Sequence, residues 1–141
     1  YRTEQDLREL LPLRPNLRLV KGAYLEPATV AYSRKADVDY AYARLVEISL
    51  QDGGYTAIAT HDERLIERAI AFAERESIPR ERFEFQMLYG VRPGLQRALL
   101  ERGYEVLVAT PFGPEWFPFF MRRLAERPAN VAFVAKNLIR R

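Results

Sequence analysis

Gly53-Gly54-Tyr55-Thr56-Ala57-Ile58-Ala59-Thr60-His61-Asp62 packs a stop, a strand and a helix cap into one short stretch. The glycine pair ends whatever helix precedes it. Tyr55 to Ala59 form an apolar run of strand length, and Asp62 is well suited to cap a helix. Beyond it, Leu65, Ile66, Ala69, Ile70 and Phe72 recur at helical spacing. A strand running directly into a helix is the repeating element of parallel α/β folds.

The same element recurs on both sides. Upstream, Leu17 to Val20 read as a strand closed by Gly22. A loop from Tyr24 to Lys35 follows, and Asp37 starts a helix carrying Tyr40, Ala43, Leu45, Val46 and Ile48. Thr3 is placed to cap a first helix through about Leu11. Downstream, Phe83 to Leu88 form a strand closed by Gly90. A helix from Pro93 to about Arg102 ends at Gly103. Tyr104 to Ala109 form a fourth strand, running into Pro111-Phe112-Gly113. An aromatic helix from Trp116 to about Arg127 and a last helix from about Asn130 to Ile139 complete the pattern.

Four strand–helix units make half of an eight-unit parallel barrel, which typically needs ~250 residues. They also suffice for a small doubly wound sheet, and periodicity alone does not separate the two. The 141 residues are 48% hydrophobic and 29% charged, which is globular composition. No apolar run approaches the roughly 18 residues that span a bilayer. The absence of Cys excludes disulfides and thiolate chemistry, and a lone His61 excludes a histidine metal cluster. The net charge of +3 is mixed along the chain. No basic stripe interleaved with stacking aromatics marks a nucleic-acid surface. The chain opens on Tyr1 in mid-pattern, with no apolar leader segment, and is expected to be part of a longer one.

Ligands of parallel α/β proteins bind at the carboxyl ends of the strands. Those ends hold Arg18, Lys21-Gly22-Ala23-Tyr24, Thr60-His61-Asp62, Gln86 to Gly90, and Thr110 to Gly113. Polar groups converging there suit an anionic or electron-rich ligand. Leu17-Arg-Leu-Val-Lys-Gly-Ala-Tyr24 resembles a signature of the proline dehydrogenases. Ala59-Thr-His-Asp62, Phe83-Glu-Phe-Gln-Met-Leu-Tyr-Gly90 and Arg122-Arg-Leu-Ala-Glu-Arg-Pro-Ala-Asn130 resemble later segments of that family, in the same order.

The resemblance implies a distorted (β/α)8 TIM-type barrel, with residues 1–141 supplying about strands five to eight and the closing helices of one domain. It implies FAD as cofactor and oxidation of L-proline to 1-pyrroline-5-carboxylate by hydride transfer to flavin N5. Arg18 corresponds to the arginine beside that atom, where a permanently charged guanidinium stabilises the reduced flavin. Lys21, Gly22, Ala23, Thr60, His61 and Gln86 correspond to cofactor-contacting positions. Arg122 and Arg123 correspond to the pair that clamps the substrate carboxylate. Glu126 lies within one turn of both and can orient them, and Tyr24 corresponds to a tyrosine lining the proline pocket. Ala109 departs from the family, which usually has Tyr there. The pocket is then wider, or a neighbour such as Phe112 fills it.

The resemblance further implies a quinone electron acceptor. The expected location is cytoplasmic, with or without peripheral contact at the inner membrane. A Lys and an Asp that the family takes from the first half of the barrel are not in this sequence, so the missing N-terminal half is an expected partner. The isolated chain is expected to be inactive. The alternatives are a non-catalytic remnant or interaction module on the same scaffold, and a different flavin- or phosphate-binding barrel.

Overall fold

A computed structural model of the chain describes residues 1–22 and 26–117. The elements alternate as α1 (Thr3–Leu10), β1 (Asn16–Val20), α2 (Lys35–Asp52), β2 (Tyr55–Ala59), α3 (Glu63–Arg75), β3 (Phe83–Leu88), α4 (Pro93–Glu101) and β4 (Val106–Ala109). All three strand pairings are parallel, and the order in the sheet is β1-β2-β3-β4. That order decides between the two architectures left open above. A doubly wound sheet reverses its strand order at a switch point. Strands laid down in sequence, each through a crossover of the same hand, keep every helix on one face. The sheet is therefore an arc of a barrel.

The core lies between that face and the helices. Ile58, Phe83, Phe85 and Met87 project from the strands onto Tyr42, Val46 and Leu50 of α2, Ile66, Ala69 and Ile70 of α3, and Leu99 of α4. Phe85 and Ile58 are fully buried. Thr56 shares this face, and its hydroxyl pairs with that of Ser49 on α2 at 2.8 Å, so neither buried hydroxyl is orphaned. Side chains alternate across a strand. The opposite face thus carries Arg18 and Val20, Ala57 and Ala59, Glu84, Gln86 and Leu88, and Leu107 and Ala109.

Several boundaries differ from the sequence reading. Thr3 is inside α1 and Arg2 occupies the cap position, with no side-chain cap. The i,i+4 pairs Arg2–Asp6 and Arg8–Glu4 support that turn instead. α2 starts at Lys35 rather than Asp37, and Lys35 is paired with Asp39 one turn on. β4 starts at Val106 rather than Tyr104 because the Tyr104 N–H closes α4, donating to the Leu99 carbonyl at 3.0 Å. Gly103, at φ +79°, makes that reversal possible. Gly53 and Gly54 do end α2, but not through a left-handed cap. A Cβ on Gly53 would strike the Ser49 carbonyl, and one on Gly54 the Arg14 carbonyl, so close backbone approach is what demands glycine. The helices expected from Trp116 to Arg127 and from Asn130 to Ile139 lie almost wholly outside the described residues.

Among the described residues no helix is long and apolar enough to cross a membrane. Phe85→Ala is expected to lower unfolding free energy by about 3–5 kcal/mol through lost burial and a residual cavity. Leu100→Ala, at an exposed position on α4, is expected to change it by less than about 0.5 kcal/mol. Urea midpoints of the two variants check this, and equal losses would misplace the core.

Candidate active site

Arg18 is the third residue of β1 and stands on the face away from the helices. Its register neighbour on β2 is Ala57, and Ala59 is the register neighbour of Gln86 on β3. Neighbouring strands lie about 4.8 Å apart, so β3 is about 10 Å from β1. The two alanine methyls between them leave room for a long side chain to cross. Arg18 does so, and its Nε donates to Gln86 Oε1 at 2.5 Å. The Gln86 amide in turn donates from Nε2 to Glu84 Oε1 at 2.6 Å.

Lys21, just past the end of β1, turns toward the helices. Its Nζ donates to Asp39 Oδ1 of α2 at 3.0 Å and lies 3.6 Å from Asp62 Oδ2, at the cap of α3. Lys35 joins the same two carboxylates. Burial pushes Asp39 up, but hydrogen bonds from Lys35 and Lys21 outweigh it and hold its carboxyl below the usual range. Asp62 is lowered in the same way, with Lys21 and Lys35 overcoming its burial. These four groups tie the β1–α2 and β2–α3 connections together. Gly22 is at φ +78°, and among the described residues nothing stands within 4 Å of where a Cβ would be.

Thr60 is buried, and its Oγ1 accepts from the Asp62 N–H at 3.2 Å, which shapes the turn before α3. Asp62 caps that helix as expected, accepting from the Arg64 N–H. His61 Nε2 accepts from the Leu88 N–H at 2.9 Å, linking the ends of β2 and β3. An acceptor at Nε2 puts the ring proton on Nδ1. Burial, then the nearby Arg92 and Lys21 charges, push the His61 pKa down to about 4, so the imidazole is neutral near pH 7.

Arg92 was not anticipated. It occupies the left-handed region at φ +50°, donates to the His61 carbonyl at 3.0 Å, and pairs with Glu63 at 2.6 Å. Nothing in Val91-Arg92-Pro93 marks this, because both partners come from the preceding unit. Glu84 was also passed over. Its signal was available: Glu84 and Gln86 are the polar residues of an otherwise apolar strand and share one face. Ala23, Tyr24, Arg122, Arg123 and Glu126 lie outside the described residues. Beside Ala109, a pocket of about 360 Å³ is lined by Leu88, Thr110, Pro111, Phe112, Glu115 and Trp116. Phe112, which is fully exposed, is one of the lining residues.

The proline dehydrogenase family model matches residues 9–136. The chain belongs to the proline dehydrogenase family. It is 52% identical over 140 residues to a proline dehydrogenase of Deinococcus radiodurans, covering 99% of this chain and 45% of that protein. Proline dehydrogenase 1 of Bacillus subtilis is 48% identical over 141 residues, covering 100% of this chain and 47% of that one. The chain thus spans about half the length of these curated relatives. Among solved structures, proline utilization A from Bdellovibrio bacteriovorus, inactivated by N-propargylglycine, superposes with a TM-score of 0.79 at 27% identity. The match covers 87% of this chain and 15% of that one. The strand order had required only a barrel arc, and this likeness agrees with it.

The state of His61 has a consequence for stability. An unfolded histidine takes up a proton below about pH 6.5, whereas folded His61 refuses it until about pH 4. Between those values the unfolded state binds more protons, so stability falls as pH falls. His61→Gln is expected to lose less stability on acidification than the parent. Urea midpoints at about pH 7 and about pH 4.5 measure this difference, and identical acid losses would contradict a neutral His61.

Proposed function

We propose that this chain forms the C-terminal arc of an FAD-dependent barrel that oxidises L-proline to 1-pyrroline-5-carboxylate. The observation that carries the reading is Arg18, a permanent cation at the middle of β1 on the face away from the helices, bonded to Gln86 two strands away. Its position supports a role beside an electron-accepting ring, where a fixed guanidinium stabilises developing negative charge. The surrounding residues fit a flavin. Among the described residues nothing crowds Gly22 at the end of β1, Gln86 brings a neutral amide to Arg18, and His61 supplies an uncharged ring at the end of β2.

Arg18, Gly22, Ala23, Thr60, His61 and Gln86 would hold the cofactor, while Lys21, whose ammonium is engaged by Asp39 and Asp62, would shape the loop beside it. When bound, FAD supplies the hydride acceptor. The chain supplies orientation. Arg122 and Arg123 would hold the substrate carboxylate as a guanidinium pair, with Glu126 in the role of orienting them. Tyr24 would line the proline pocket and exclude water. A quinone takes the electrons onward, at a cytoplasmic site in peripheral contact with the inner membrane.

An eight-stranded barrel closes only when further strands pair with β1 and β4, which are the sheet edges among the described residues. The 141-residue chain by itself is therefore expected to give no proline-dependent dye reduction, and robust turnover would overturn the need for a complementary half. In the completed barrel, Arg122→Met is expected to raise the proline KM at least roughly tenfold, the scale of a lost charged hydrogen bond. Steady-state kinetics with varied proline provide the check, and an unchanged KM would remove Arg122 from the clamp.

A further inference from the structure

Glu84 touches neither substrate nor cofactor in the reading above, yet it belongs to the hydrogen-bond chain that starts at Arg18, and it also hydrogen-bonds the Tyr55 side chain. A carboxamide has nearly the same shape in its two flipped orientations, but opposite polarity. With Oε1 toward Arg18, Gln86 accepts from the guanidinium. Flipped, its NH2 would face a group that can only donate. Glu84 Oε1, 2.6 Å from Gln86 Nε2, selects the first orientation, because a carboxylate can only accept. The bond from Arg18 to Gln86 uses Nε alone, so it fixes the plane of the guanidinium and leaves the terminal nitrogens directed elsewhere.

An ordinary exposed Glu–Gln pair along one strand would need no explanation. This pair reaches two strands away, over Ala57 and Ala59, to a cation 68 positions earlier in the chain. We propose that Glu84 is the positioning residue of this site: through the Gln86 amide it sets the orientation of the Arg18 guanidinium toward the flavin. The assignment rests on the flavin reading for its purpose, and on the two hydrogen bonds for its geometry.

The test is a double-mutant cycle on FAD affinity in the whole protein, followed by flavin fluorescence quenching. Glu84→Ala is expected to weaken FAD binding roughly tenfold with Arg18 present, and less than about twofold in an Arg18→Ala background. Glu84→Gln keeps an acceptor oxygen and is expected to restore affinity to within about threefold of the parent. Equal losses in both backgrounds would mean that Glu84 acts on the fold rather than on Arg18, and would overturn the proposal. A second readout needs no flavin. The Arg18 Nε–H resonance should exchange with water faster in Glu84→Ala but not in Glu84→Gln. Unchanged exchange in Glu84→Ala overturns the relay by itself. Faster exchange in a protein that binds no FAD would uphold the relay and overturn the flavin reading instead.

Discussion

Parallel pairing of β1 with β2, β2 with β3 and β3 with β4, in chain order, constrains everything else in this molecule. Each crossover helix must return over the same face, so the apolar surface of α2, α3 and α4 is used up on one side of the sheet. Phe83, Phe85 and Met87 serve that side. Among the described residues no helix covers the residues between them, and they are released for other work. Arg18, Glu84 and Gln86 stand among them, and two alanines on β2 keep the passage between β1 and β3 clear. Larger side chains at Ala57 and Ala59 would serve a packed lumen equally well and would separate the arginine from the amide.

The strand ends are held by a different physics. Four charged groups, Lys21, Lys35, Asp39 and Asp62, interlock two connections. They are partly exposed, so each pair contributes modestly to stability. Their arrangement nevertheless decides where Gly22 and His61 stand. Arg92 does the same from the next connection, and its left-handed backbone is the kind of local strain that persists where the surroundings over-determine a residue. The site is thus a set of short loops pinned to one another by ion pairs, above a sheet held by apolar burial.

Much of this was legible in the residues. The alternation of Tyr55 to Ala59 with the Leu65–Phe72 helix, repeated along the chain, is a local property and reads directly. Three of the four ordered segments that resemble proline dehydrogenases adjoin the ends of β1, β2 and β3, where function concentrates. What could not be read was partnership. Lys21 looks like a free strand-end cation until α2 and α3 are folded against it. Tyr104 looks like the first residue of a strand until its N–H is needed to close α4. In both cases the deciding group lies in a neighbouring element.

The sequence alone therefore determined which segments become strand and helix, which residues alternate between the two faces, and the family to which the chain belongs. These follow from side-chain volume, polarity and period, which each residue carries with it. Tertiary structure decided the barrel arc over the doubly wound sheet, the bond from Arg18 to Gln86, and the neutral state of His61. Strand order and register are relations between segments far apart in the chain. The proton on a histidine depends on how much water and how much charge the finished fold leaves beside it.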